Sequence, residues 1–374
     1  MTLELKLIGK KGNGMVCLVE KDAPPIYQLT PDETDDGVFE LDDDLVHSVV
    51  LDNLYTEGRK RRRLNLPYRR RGRNIEVLVR EPYSVEGLNF HAVTFKGAGA
   101  KPYDKWYDKG KYVIDPLSWR GGGNIAQFKR LWGGLDEGFA VGEAENKILS
   151  DRNIFHTPYV AQNKIPKKVQ DEIYFKANLM VWGSSLDGII HRSEKQDSDP
   201  DLHQIVRLSM TNIRHNEFDS FSGNEVKEFA ELSLKAGWTL KKLVEHLGKV
   251  DGELTRECLK LARSGKFLNF HLSDFHDNTY ITGEITDLEQ VEIKNYHSDS
   301  ERYVWPIEAM YDSVKVLRRT AEALNKNVNS IVTSYFKKVS EISGYYFSEN
   351  TVEYDGYRVS QLEKFRKRKQ KVHA

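Results

Sequence analysis

The sequence predicts an α+β chain, β-rich over residues 1–165 and mainly helical over 166–374. Three observations predict it. Ile75-Glu76-Val77-Leu78-Val79 and His91-Ala92-Val93-Thr94-Phe95-Lys96 alternate on either side of a Glu86-Gly87 turn, as paired strands do. Between Asn224 and Leu247, Val226, Phe229, Leu232, Leu234, Leu240, Leu243 and Leu247 recur at helical spacing. With 374 residues, 39% hydrophobic and 30% charged, the chain can bury a sizeable core under a solvated surface.

The first fifty residues alternate and then turn acidic, from Asp32 through Asp44. A basic stretch follows, Arg59 to Arg63 and Arg69 to Arg73, which either neutralises acidic groups within the fold or forms a strip for nucleic-acid phosphates. The predicted hairpin ends in Lys96 and the turn Gly97-Ala98-Gly99, with glycine loops at 121–123 and 133–134. Phe139 to Leu149 reads as a helix carrying Glu143 and Glu145, and strand is expected at Val160 and around Tyr174–Trp182. The helix from Asn224 is expected to stop at Gly248, and further helices to span Trp305–Leu324 and Val328–Ile342 before a basic tail.

The 56 basic and 56 acidic residues cancel, so net charge favours neither nucleic acid nor membrane as a partner. No run approaches a membrane span, and the opening residues lack the apolar core of a secretion signal. Cys17 and Cys258 are too few for a disulfide framework, so a reducing, cytoplasmic setting is the expectation.

The chemistry concentrates in His271-Leu-Ser-Asp-Phe-His-Asp-Asn278 and the run to Asp287. Gly283 suggests a turn that returns Asp287 to the neighbourhood of Asn278. One or two carboxylates and an amide suffice for magnesium when a nucleotide supplies phosphate oxygens. An Asn and an Asp separated by a small hairpin is how protein-kinase-like folds build that site. Two other readings stand beside it: His271, Asp274, His276 and Asp277 as transition-metal ligands, or a polar loop capped by its own side chains. Lys96, at a strand end beside glycines, suits a phosphate, with a helix carboxylate to hold it. Arg207 and Arg214 suit phosphate oxygens or surface ion pairs.

These segments resemble the selenoprotein O family, kinase-like proteins that transfer AMP to protein hydroxyls. Phe95-Lys96-Gly-Ala-Gly-Ala-Lys-Pro102-Tyr103 is similar to the family's strand and turn. Ile154-Phe-His-Thr157 resembles the segment after its glutamate-bearing helix. Arg207 and Arg214 with Phe218 and Phe221 reproduce its arginine and aromatic spacing, and His271 through Asp287 matches its metal segment without a gap.

The resemblance implies a two-lobed fold with a β-rich N-lobe and a helical C-lobe. It implies ATP with Mg2+ or Mn2+ as cofactors and a protein or small-molecule hydroxyl as acceptor. Lys96 would contact phosphate and pair with Glu143, Glu145 being the alternative. Arg207 and Arg214 would hold the terminal phosphates of a reversed ATP, Asn278 and Asp287 the metal, and Asp277 would be the base. Ordinary kinases carry their aspartate where Ser273 stands, so either Asp277 or Asp274 takes that task or transfer to a hydroxyl is weak. Transfer of the γ-phosphate, or nucleotide binding without catalysis, are the alternatives. The family's His-Gln-Phe-Gly segment and its C-terminal selenocysteine or cysteine have no counterpart, so redox control through the latter is not expected.

Overall fold

The computed structural model describes residues 3–21, 26–28, 62–64, 67–71, 74–97, 107–108, 111–112, 135–164, 167, 170, 201–270, 275–286, 288, 291–295 and 304–348. A hairpin of β1 (Leu3–Ile8) and β2 (Met15–Glu20) comes first, and β3 (Ile26–Gln28) pairs with β4 (Arg62–Leu64). Then follow β5 (Tyr68–Arg71), β6 (Asn74–Val85), β7 (Leu88–Lys96), and the short β8 (Tyr107–Asp108), β9 (Lys111–Tyr112) and β10 (Leu135–Asp136). After α1 (Glu137–Glu145) come β11 (Tyr159–Lys164) and β12 (Leu202–Ser209). The rest is α2 (His215–Ser220), α3 (Gly223–Ala236), α4 (Leu240–Arg263), a β13 (Lys266–Phe270) and β14 (Val291–Asn295) pair, α5 (Val304–Ala323) and α6 (Val328–Ser343). The architecture is thus mixed α+β, a sheet-rich region followed by helices. No helix among the described residues is long and apolar enough to cross a membrane.

The main sheet is antiparallel and six-stranded, with β5, β6, β7 and β12 in that order and β10 and β11 also paired to β12. Glu86 and Gly87 both have positive φ (51° and 80°), the twist a two-residue hairpin loop requires. Because paired residues share a face, register sorts the sheet into two sides. Tyr68, Ile75, Val77, Val93, Phe95, Val206 and Leu208 make one side, an apolar core. The other side carries Arg69–Glu76–Thr94–Arg207 across four strands, and beside it Arg71–Asn74–Lys96–Ile205. The row beyond, Leu78 and Ala92, is covered by Ile8, Cys17 and Val19 of the first hairpin.

That hairpin is a wedge. Val16 and Leu18 point the other way, into the main helical core with Phe229, Leu247, Met310 and Phe336. Asn212 clasps it as a neighbouring strand would: Leu18 N–H donates to Asn212 Oδ1 at 2.8 Å, and Asn212 Nδ2 donates to Leu18 O at 2.8 Å. Residues 3–21 are therefore built into the sheet and the helices together.

Three expectations change. The helix expected over Asn224–Leu247 is two helices. Gly237 (φ 89°) ends the first while its Cα side packs on the backbone of Gly12, and Thr239 caps the second. Gly248 stops nothing; α4 continues through it because the missing side chain lets α6 approach, with Lys338 Cβ 2.7 Å from where a Cβ would stand. The sheet also crosses the boundary expected at residue 165, since β12 lies between β7 and β11. Its residues are all buried, so the polar alternation of a half-exposed strand is absent. The strand expected around Tyr174–Trp182 lies outside the described residues.

Candidate functional site

The Asp277 turn is assembled by backbone hydrogen bonds. Thr279 and Ile285 bridge, Gly283 (φ 86°) turns the chain, and Thr286 N–H donates to Asn278 O at 2.9 Å. This hairpin closes on Asn278 at the residue just before Asp287, which itself lies outside the described residues. So do His271, Ser273 and Asp274. Asn278 offers an amide oxygen, the hard donor type that magnesium or manganese prefers. Asp277 is partly buried; Asn216 donates to its carboxylate, and its carbonyl accepts from Arg214 Nη1 at 2.6 Å.

His276 is not available to a metal. Its ring nitrogens meet Asp312 Oδ1 at 2.9 Å and Asp219 Oδ2 at 3.1 Å. Burial works against a charged ring, but hydrogen bonds to Asp219 and Asp312 outweigh it and hold the pKa up at about 10. An imidazolium has no lone pair to give. Among the described residues no group of three or more His, Cys, Asp or Glu could hold a metal. The transition-metal reading therefore loses His276, and the turn is instead anchored to α5 and the end of α2.

Lys96 ends β7 on the polar side of the sheet and is partly buried. Gly97 beside it has φ 91°, and a Cβ there would stand 3.1 Å from His203 O, so any side chain would crowd β12. The α1 helix packs on this row through Ala140 against Ile205. Glu143 lies on that helix, its side chain outside the described residues, and Glu145 is exposed.

The arginines are placed differently from each other. Arg207 is buried at 3% exposure, with Nη1 on Thr157 O at 2.9 Å and its guanidinium 5.9 Å from the Tyr159 ring. Arg214 heads α2, its guanidinium 5.8 Å from the Tyr280 ring centre. Arg71, on the sheet, lies 5.8 Å from the same ring. Tyr280 thus joins the sheet's polar side to the Asp277 turn, and burial pushes its hydroxyl pKa up.

Sequence reasoning passed over the group that organises this corner. Glu217 takes both Arg69 and Arg71: Arg69 Nη1 at 3.1 Å and Nη2 closer still, and Arg71 Nη2 at 2.6 Å. It also accepts the Arg214 N–H at 2.9 Å. Burial opposes its charge, but Arg71 and Arg69 prevail and lower its pKa to about 2. Arg69 and Arg71 are thus engaged inside the protein; of the other arginines expected to form a phosphate strip, Arg62 and Arg63 lie on β4 and Arg70 on β5, and Arg59, Arg61 and Arg73 lie outside the described residues. The signal was present, since Arg69 and Arg71 alternate on a strand and Glu217 stands three residues into the helix after Arg214. Their pairing across the chain was not.

On the far side of the hairpin, Glu284 is wholly buried. Its carboxyl accepts Met210 N–H at 2.5 Å and the Thr282 hydroxyl, and burial raises its pKa to about 7. Asp251, also buried, is raised to about 6 despite hydrogen bonds from Ser313 and from Tyr335 at 2.6 Å.

Compared with known protein-family models and with curated proteins, the chain matches none.

Proposed function

We propose that this chain is an ATP-dependent adenylyltransferase of protein-kinase-like, two-lobed fold that moves AMP to a Ser, Thr or Tyr hydroxyl. The observation that carries the reading is the meeting of the sheet's polar side with the Asp277 turn, Arg71 and Arg214 lying against one Tyr280 ring. The resemblance to the selenoprotein O family supplies the roles. Lys96, Arg207 and Arg214 bind nucleotide phosphates, and Glu143 holds Lys96. Asn278 and Asp287 hold Mg2+, which neutralises phosphate charge when bound. The acceptor oxygen bonds to the α-phosphorus, the bond from that phosphorus to the α–β bridging oxygen breaks, and pyrophosphate leaves. Asp277 takes the hydroxyl proton.

The test is incubation with ATP labelled at α or at γ, with Mg2+ and the chain itself as acceptor. The expected result is protein-bound α label, reduced roughly 100-fold or more in Asp277→Ala and Asp287→Ala. Protein-bound label from the γ position alone would make the chain a phosphotransferase. Magnesium-dependent ATP binding without transfer of either label would make it a nucleotide-binding scaffold.

A further inference from the structure

We infer that Arg71 and Glu217 are positioning residues, which set Arg214 and the Asp277 turn in place from the sheet; the inference rests on the nucleotide-site reading above for its functional half. The chain of contacts is continuous. Arg71 Nη2 donates to Glu217 Oε2 at 2.6 Å and to Asn212 O at 2.6 Å, and Arg69 Nη1 reaches the same two acceptors at 3.1 and 3.2 Å. Glu217 accepts the Arg214 N–H, fixing where α2 begins. Arg214 then lies over Tyr280, bridges to it through the backbone, and donates to Asp277 O at 2.6 Å.

The chemistry explains why these residue types stand here. One carboxylate can accept from two guanidinium groups and a backbone N–H at once, so a single side chain locks β5 to the start of α2. Two guanidinium groups facing one ring restrict that ring, and Tyr280 follows Asn278 by two residues in the turn. Glu76, buried with its carboxylate 3.4 Å from Arg71 Nη1, holds Arg71 from the sheet side. The geometry of Arg214 and Asp277 is thereby tied to β5, a strand far from them in sequence.

A double-mutant cycle on Mg·ATP binding, joined to hydrogen exchange, tests this. In the wild-type background Glu217→Gln weakens Mg·ATP binding about tenfold or more, and Arg71→Lys does so by less. In an Arg214→Ala background the same Glu217→Gln change costs under threefold, because the group it positions is gone. Exchange of the amides in residues 275–285 accelerates in Glu217→Gln and in the milder Arg71→Lys, while α4 and α6 keep their protection. A purely structural role would give equal losses in both backgrounds and would overturn the inference. So would unchanged exchange at 275–285 in both variants. If the wild type binds no Mg·ATP yet the turn's exchange accelerates, the nucleotide reading falls while the positioning of the turn stands.

Discussion

Replacing Gly252 by alanine should destabilise the protein, although the same change in most helices stabilises it. Gly248 and Gly252 stand four apart on α4 and form one stripe against α6. A Cβ at Gly252 would stand 2.6 Å from Ile342 Cβ, 2.9 Å from its Cγ2 and 3.3 Å from Val339 O. Helix propensity favours alanine by about 1 kcal/mol. Against this, carbon atoms prefer about 3.5–4.0 Å, so α6 would have to retreat by roughly 1 Å. The obstructing atoms are a branch point and a backbone carbonyl, so no side-chain rotation relieves them. Overpacking of this kind costs about 1–3 kcal/mol. The retreat would also stretch the buried Tyr335–Asp251 hydrogen bond, 2.6 Å long, which spans the same helix pair. Packing therefore wins, and Gly252→Ala should lose about 1–2 kcal/mol net in urea unfolding followed by circular dichroism. Gly142→Ala is the control: nothing lies within 4 Å of its would-be Cβ on α1, and it should gain up to about 1 kcal/mol. A Gly252→Ala protein as stable as wild type would refute the packing argument.

Glu284 makes the fold sensitive to pH. Its folded pKa of about 7 lies above the ordinary 4.5, so its stabilising contribution is complete below about 4.5 and lost as pH rises through 7. The loss is on the order of 3 kcal/mol, and Glu284→Gln should remove it from the difference in stability between pH 4.5 and 7.5. Parallel pH profiles for the two proteins would count against this. Asn212→Ala should cost about 2–3 kcal/mol, since it strands the buried N–H and C=O of Leu18. Limited trypsin digestion should then cut at Lys10 or Lys11 well before the helical core is attacked, and wild-type resistance there would contradict the strand-like role given to Asn212.

How much could be read in advance depended on whether the responsible contacts were local. The β6–β7 hairpin was legible because Ile75, Val77, Val93 and Phe95 face one way and Glu76 and Thr94 the other. The helices α5 and α6 were legible from their spacing alone. The break at Gly237 was not, since apolar residues continue on both sides of it and the glycine's reason is the approach of Gly12, more than two hundred residues earlier. Gly248 misled for a related cause: an in-helix glycine reads as a stop, whereas here it is a contact with α6. At the candidate site, the polar stretch around Asp277 stood out in sequence, but the partners that consume His276, on α2 and α5, did not. Arg207 stood out in sequence as an arginine in an apolar run; that it lies buried, donating to Thr157 O, depends on β11 pairing and was not legible.

The ionic side of the sheet poses an energetic question that its position answers. Burying Arg69, Glu76 and Arg207 costs several kcal/mol per ion before pairing, partly burying Arg71 and Glu217 costs less, and paired buried ions are often no more stabilising than apolar groups of equal volume. The sheet's opposite side shows that this chain can fill such rows with Val, Ile and Phe. Cohesion alone therefore gives no reason for arginine and glutamate here. Direction does. An apolar row would pack against Tyr280 without fixing where α2 starts, whereas Glu217 has one arrangement that serves Arg69, Arg71 and the Arg214 N–H together. Displacing any one partner forfeits a hydrogen bond to a mostly buried carboxylate, so displaced geometries are penalised by about 1.5–3 kcal/mol. That penalty is what keeps Arg214 and the Asp277 carbonyl in a single register.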